Sequence, residues 1–127
     1  MTPRIDLKSS VPVYRQMVDG LRVLLVNGEL KPGDPLPPVR RLATDLGVHF
    51  NTVAEAYRTL ASEGWLEIAR RSGAKVVSRK APRRAQADAA EGFDRVRSLV
   101  AEMQAGGFSR DSIVRELRRL AEALEAL

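Results

Sequence analysis

The sequence predicts a mainly α-helical chain with one small β-hairpin, laid out as a helical head followed by a two-helix tail. Three observations carry that expectation. Apolar residues recur at helical spacing in five separate stretches. Turn formers separate the stretches: Asn27-Gly28, Lys31-Pro32-Gly33-Asp34, Gly47, Glu63-Gly64 and Gly106-Gly107. Only at Trp65–Ile68 and Lys75–Val77 do apolar residues come as short strand-like runs.

The first helix is expected within residues 11–27. Tyr14, Met17, Val18, Leu21, Leu24 and Leu25 share one face, Ser9 and Ser10 stand before it, and Asn27-Gly28 stops it. Lys31-Pro32-Gly33-Asp34 is a turn signal, because proline sets φ at the second position and glycine accepts the positive φ a type II turn needs at the third. Pro35, Pro37 and Pro38 keep the chain extended until a second helix over 39–46, with Val39, Leu42, Ala43 and Leu46 as its stripe and Gly47 as its stop. The third helix follows almost at once. Val48 and Val53 stand as a hydrophobic staple around a cap at His49, and Val53, Ala56, Tyr57 and Leu60 continue the buried stripe. Two short helices joined by a glycine-containing turn make a helix-turn-helix, whose second helix projects into a groove. Trp65–Ile68 and Lys75–Val77, joined by Ala69-Arg70-Arg71-Ser72-Gly73-Ala74, then form a hairpin with a basic tip, in the position of a wing.

Residues 78–90, with Pro82 and several Ala, Arg and Gln, read as a linker passing into a helix. Ala89, Phe93, Val96, Val100 and Met103 step alternately by four and three until Gly106-Gly107 breaks the pattern. Ser109 caps a final helix, Phe108 and Ile113 form a second staple, and Ile113, Leu117, Leu120, Leu124 and Leu127 repeat the stepping. The expected organisation is a winged helix-turn-helix over 1–79, a linker entering a helix over 80–91 and a helical hairpin over 92–127. Two short helices do not enclose both stripes. The favoured burial is against a second copy across a two-fold axis, through Phe93, Val96, Val100, Met103, Ile113, Leu117, Leu120 and Leu124. The competing burial folds the hairpin back on its own head.

Composition narrows the function. With 127 residues, 44% hydrophobic but 5% aromatic, the chain builds only a modest core. No cysteine and one histidine, His49, leave disulfide scaffolds, thiol catalysis and histidine triads without parts. No second ligand stands at helical spacing from His49, which reads as a cap or a phosphate-proximal donor, and no paired carboxylates face a nucleophile. No enzyme, cofactor or metal site is therefore expected. The longest aliphatic run, Val23–Val26, is far short of the roughly 20 apolar residues that span a bilayer, and the N-terminus lacks a signal-peptide core, so a cytoplasmic protein is expected.

The net charge of +5 makes a polyanion the first partner to consider. Residues 1–80 carry 13 Lys+Arg against 8 Asp+Glu, whereas residues 81–127 carry 8 of each, so the excess belongs to the head. Arg70, Arg71, Lys75, Arg79, Lys80, Arg83 and Arg84 run with no acid among them. Charge alone leaves a phosphate strip and a solvated linker level; a position on and behind a wing favours phosphate.

The run Leu30-Lys31-Pro32-Gly33-Asp34-Pro35-Leu36-Pro37, with Arg40, Leu42-Ala43, Leu46-Gly47-Val48, Asn51-Thr52-Val53, Ala56-Tyr57, Leu60 and Glu63-Gly64, resembles the DNA-binding domain of GntR-family bacterial transcriptional regulators. The likeness covers about residues 4–77, and Pro12-Val13-Tyr14 with Gln16 is similar to that family's first helix. A short helical tail in place of a large ligand-binding domain looks like the YtrA-type subfamily of small dimeric repressors. The resemblance implies double-stranded DNA as partner, a homodimer on an inverted-repeat operator, and DNA contacts from Arg40, Arg41, His49, Phe50, Asn51, Thr52 and Arg58, with Arg70, Arg71, Ser72, Gly73 and Lys75 on the wing.

Asn51 either reads an adenine edge or bonds a phosphate, and Thr52 meets a thymine methyl, a phosphate or only its own helix turn. The chain departs from the family at Pro38, commonly Ser; at His49, commonly a small hydroxyl cap; at Phe50, a base-reading Arg in some relatives; and at Arg71, usually Gly. Phe50 packs on a thymine methyl or a sugar, or covers the domain surface. From Gly92 onward 36 residues remain, too few for a private pocket of several hundred Å³, so any small-molecule effector belongs at the dimer interface or between tail and head. The rival readings are a nonspecific nucleoid or RNA-binding protein and a protein-interaction module built on the leucine stripes.

Overall fold

The computed structural model describes residues 2–70, 73–78 and 89–126. Its elements run α1 (Val13–Val26), α2 (Val39–Leu46), α3 (Phe50–Ser62), β1 (Leu66–Ala69), β2 (Gly73–Val76), α4 (Ala89–Ala105) and α5 (Arg110–Glu125). This is the mainly helical winged helix-turn-helix with a two-helix tail that the periodicity predicts. The chain divides into two units, Met1–Lys80 and Ala81–Ala126. Among the described residues no helix is long and apolar enough to cross a membrane.

In the first unit α1 opens at Val13 on an N-cap proline, Pro12, and buries Met17, Val18, Leu21, Leu24 and Leu25. Gln16 fixes the segment before it: its side-chain amide donates to the carbonyls of Asp6 (3.0 Å) and Val11 (2.8 Å) and its oxygen accepts from the Asp6 amide (2.8 Å). That face of α1 packs on Val53, Ala56, Tyr57 and Leu60 of α3, with Leu42 and Ala43 of α2 completing the helical core. Two polar clamps join α1 to α3. The Tyr14 hydroxyl pairs with that of Thr59, and the Arg22 guanidinium pairs with the Glu63 carboxylate. Glu63 is the C-cap of α3, where the helix dipole disfavours an anion, and Arg22 offsets this. The same hydrogen bond holds the Arg22 guanidinium above its ordinary pKa.

The turn between α2 and α3 rests on Gly47, whose φ of 69° is the left-handed conformation that costs glycine least. The Val48 amide then returns to the Ala43 carbonyl at 3.0 Å, and His49 re-enters extended backbone as the cap of α3.

The hairpin strands sit slightly off their expected spans of Trp65–Ile68 and Lys75–Val77. The register pairs Leu66 with Val76 and Ala69 with Gly73. Gly73, at φ 76°, closes the loop early and starts its strand two residues sooner than the apolar run suggests. Trp65 and Val77 still belong to the ladder, since the Val77 amide donates to the Trp65 carbonyl at 3.0 Å. A third segment lies along the other edge of β2. Gly33 donates to Val76 (2.7 Å), Val76 to Asp34 (2.8 Å) and Leu36 to Ala74 (2.9 Å), with Pro35 opposite Lys75. Proline suits an edge because it has no amide hydrogen to leave unpaired. Just beyond, the buried Tyr57 of α3 donates its hydroxyl to the Pro37 carbonyl at 2.7 Å.

In the second unit Gly106 and Gly107 part α4 from α5, and the Ser109 hydroxyl caps α5 by accepting from the Ser112 amide at 3.1 Å. Ile113 is buried, but Phe93 is 62% exposed, Leu99 56% and Leu124 54%. Between the helices runs an apolar groove of about 510 Å³, lined by Val96, Val100, Met103, Phe108, Ile113 and Leu117 among others. It is an open groove bounded by two helix faces, different in kind from the private pocket that 36 residues are too few to build. The expected linker lies outside the described residues except for its last three positions, 89–91, which are in α4.

Burial pushes the Tyr57 phenol up from its ordinary value near 10. The neutral form is therefore favoured in the folded head. The corresponding stability is fully present below about pH 10 and declines as pH rises above it, because the unfolded chain then loses the proton first. Tyr57→Phe is expected to lower stability at neutral pH by about 1 kcal/mol and to flatten the alkaline loss, both read by urea denaturation at pH 7 and above pH 10. An equally steep alkaline loss in Tyr57→Phe would place its origin elsewhere.

Candidate nucleic-acid interface

Helix α3 turns its four buried residues to the core and so sets what faces outward. Asn51, Glu55 and Arg58 are exposed, while Thr52 and Ala54 are half-buried. The first turns of α2 and α3 carry no acidic residue, although acids there would be favourable to helix stability. Arg40 and Arg41 stand in the first turn of α2, both exposed. The N-cap of α2 is Pro38, and no side chain caps the helix, which leaves the first-turn amides open to solvent or to an anion.

The N-terminus of α3 is built differently. The Asn51 amide donates to His49 Nδ1 at 3.1 Å and the Thr52 amide to the His49 carbonyl at 3.1 Å. The imidazole Nδ1 takes up one of the amides that the start of a helix leaves without a partner. His49 is thus a helix cap, one of the roles expected of it.

Three of the sequence-predicted residues meet in one cluster. The His49 and Phe50 rings stack with centroids 4.7 Å apart and planes 24° apart, and the Arg40 guanidinium carbon lies 4.6 Å from the Phe50 centroid. Arg41, Arg58 and Arg70 have no acid partner among the described residues. On the wing, Arg70, Gly73 and Lys75 are exposed. Arg71 and Ser72 at the tip, with Arg79, Lys80, Arg83 and Arg84 of the basic run, lie outside the described residues. Sequence reasoning missed Tyr57 as the link between α3 and the entry to α2; a lone tyrosine in an aliphatic stripe, twenty residues after a proline pair, was the available signal. The contact of Arg40 with Phe50 spans ten residues and carries no periodicity.

The chain matches the family of bacterial regulatory proteins described as the gntR family over residues 13–76. It is 44% identical over 70 residues to the HTH-type transcriptional repressor YtrA of Bacillus subtilis, a stretch that covers 55% of this chain and 54% of that one. It therefore spans about half the length of that curated relative. Among solved structures, YtrA from Sulfolobus acidocaldarius, a GntR-family transcription factor, superposes with a TM-score of 0.58 at 33% identity, covering 83% of this chain and 99% of the other. A GntR-family transcriptional regulator from Listeria monocytogenes gives a TM-score of 0.59 at 26% identity, covering 89% and 98%.

The cap geometry has a direct consequence for stability. His49→Ala is expected to destabilise the head by about 0.5–2 kcal/mol, and His49→Asn, which offers a side-chain oxygen at the same place, to recover most of that loss in thermal or urea unfolding. Equal stability of all three chains would mean the Nδ1 contact contributes nothing.

Proposed function

The chain belongs to the GntR family of bacterial regulatory proteins, and on that premise we propose that it is a sequence-specific DNA-binding repressor of transcription that works as a homodimer on an inverted-repeat operator. The observation that carries this reading is the outward face of the helix-turn-helix. The first turns of α2 and α3, free of acids, carry Arg40, Arg41 and Asn51, the Arg40 guanidinium is held on the Phe50 ring, and Arg58 stands exposed further along α3. In the complex α3 lies in the major groove, with Asn51 and Thr52 at base edges or phosphates. Arg41, Arg58, Arg70 and Lys75, with Arg71 and Ser72 from the wing tip, take the flanking backbone, where Gly73 lets the wing approach closely.

The homodimer reading draws on the tail. Phe93, Val96, Leu99 and Leu124 are left largely exposed on two short helices, and a second copy of the same hairpin supplies apolar surface of matching kind for the groove between them. Two heads so joined place their recognition helices in successive major grooves, with half-sites about 34 Å apart or a multiple of it. Any small-molecule effector, if such a dimer has one, belongs at the dimer interface and acts by shifting the angle between the heads. Repression follows from occlusion of a promoter.

Affinity for a duplex selected from random sequence should fall by about 10³ or more between 50 and 200 mM salt if six or more phosphates are neutralised, and should exceed that for random duplex at matched salt. Affinity indifferent to salt, or equal for the two duplexes, would contradict the proposal. Sedimentation at tens of micromolar is expected to give twice the 14.0 kDa chain mass, and Leu117→Glu to shift the population toward monomer. A single-chain mass at those concentrations would end the homodimer reading.

A further inference from the structure

Phe50 is a large aromatic residue that does no work in the core. It is 38% exposed and is neither among the buried residues of the head nor among the apolar residues packed against them. Its described contacts are the imidazole of His49 and the guanidinium of Arg40. Arg40 in turn has no ion pair and no side-chain hydrogen bond among the described residues; the ring of Phe50 is the group it rests on. A guanidinium over a ring engages that ring through its π cloud and keeps its N–H donors for an acceptor elsewhere. His49 is fixed by its own bond to the Asn51 amide, so the ring that supports Arg40 is itself supported by the cap of α3.

We propose that Phe50 is a positioning residue for Arg40. In the proposed complex it does not read DNA itself but holds the Arg40 guanidinium, donors outward, at the junction of the two helices, where it meets a bidentate acceptor on the duplex. That acceptor is either the O6/N7 edge of a guanine or a pair of phosphate oxygens. The inference rests on the DNA-binding reading and assigns the contact at this point to Arg40 of α2, held in place by a side chain of α3.

The test uses the full chain and a duplex selected from a random pool by the wild type, with every single base-pair variant of it. Arg40→Ala is expected to weaken binding about 10-fold or more. Phe50→Leu, which keeps apolar bulk but removes the ring, should weaken it about 2–5-fold, and Phe50→Tyr should stay near wild type. The double variant should be no weaker than Arg40→Ala alone, and Phe50→Leu should alter the same positions as Arg40→Ala. Loss confined to one base pair identifies the guanine edge, and uniform loss identifies phosphate; both support the proposal. In the free protein, the Arg40 side-chain Cδ protons should be shifted upfield by the ring in NMR spectra, the shift vanishing in Phe50→Leu and persisting in Phe50→Tyr. Additive losses in the double variant, or an Arg40 resonance unmoved in a folded Phe50→Leu chain, overturn the assignment of Phe50 alone. A wild-type chain that selects no duplex, or an Arg40→Ala chain that binds as well as wild type, overturns the DNA-facing role of this surface and the inference with it.

Discussion

One-sided burial of α3 is the constraint on which the head depends. Val53, Ala56, Tyr57 and Leu60 are spaced so that all four point into the core, and none is more than 3% exposed. At roughly 1.5–3 kcal/mol for each large apolar side chain taken out of water, this stripe outweighs any single polar contact in the unit. Rotating the helix by one residue, about 100°, would put Ala54 and Arg58 where Val53 and Tyr57 now sit and bury an unpaired charge. The outward direction of Asn51, Glu55 and Arg58 therefore follows from what is inside.

The same helix fixes its neighbours through Tyr57. The phenol holds the Pro37 carbonyl just ahead of α2, while the residues before it, Gly33 to Leu36, are bonded to the free edge of β2. The entry of α2, strand β2 and α3 are thus tied to one another by hydrogen bonds through the segment Gly33–Pro37. For the proposed recognition role of α3 such a frame is an advantage, because groups held in place beforehand do not have to be ordered at binding.

Most of this was legible in the sequence for physical reasons. Helical stripes, the Gly47 stop and the caps at His49 and Ser109 are local features, set by spacing and by backbone preferences of single residues, and the helix boundaries follow them closely. The wing was placed less well, since its register is decided by the positive φ of Gly73 and by a third segment, Gly33 to Leu36, that is distant in sequence. The residues proposed to touch DNA were legible as a face of α3 and as types suited to phosphate. Their mutual contacts were not. Whether Phe50 would turn to a thymine methyl, to the domain surface or to Arg40 depends on the angle between two helices, and that angle is set by packing across the core. The groove of the tail escaped for the same reason, as its width depends on how two helices part and not on either stripe alone.

The two helix N-termini of the helix-turn-helix are finished in opposite ways, and the contrast bears on binding. His49 satisfies the Asn51 amide of α3, whereas α2 begins on Pro38, which offers no side-chain acceptor. Omitting a cap forgoes about 1 kcal/mol of helix stability. Placing Arg40 and Arg41 in the same turn adds cations at the positive end of the helix dipole, a further small cost in the free protein. Both costs diminish or reverse when an anion arrives, because open amides and clustered guanidinium groups favour the bound state more than the free one. The stack on Phe50 keeps one of those guanidinium groups from dispersing into solvent meanwhile. A head arranged in this way is less stable alone than its fold allows, and in the proposed complex what it forgoes in the free state is available to its binding free energy for a phosphate backbone.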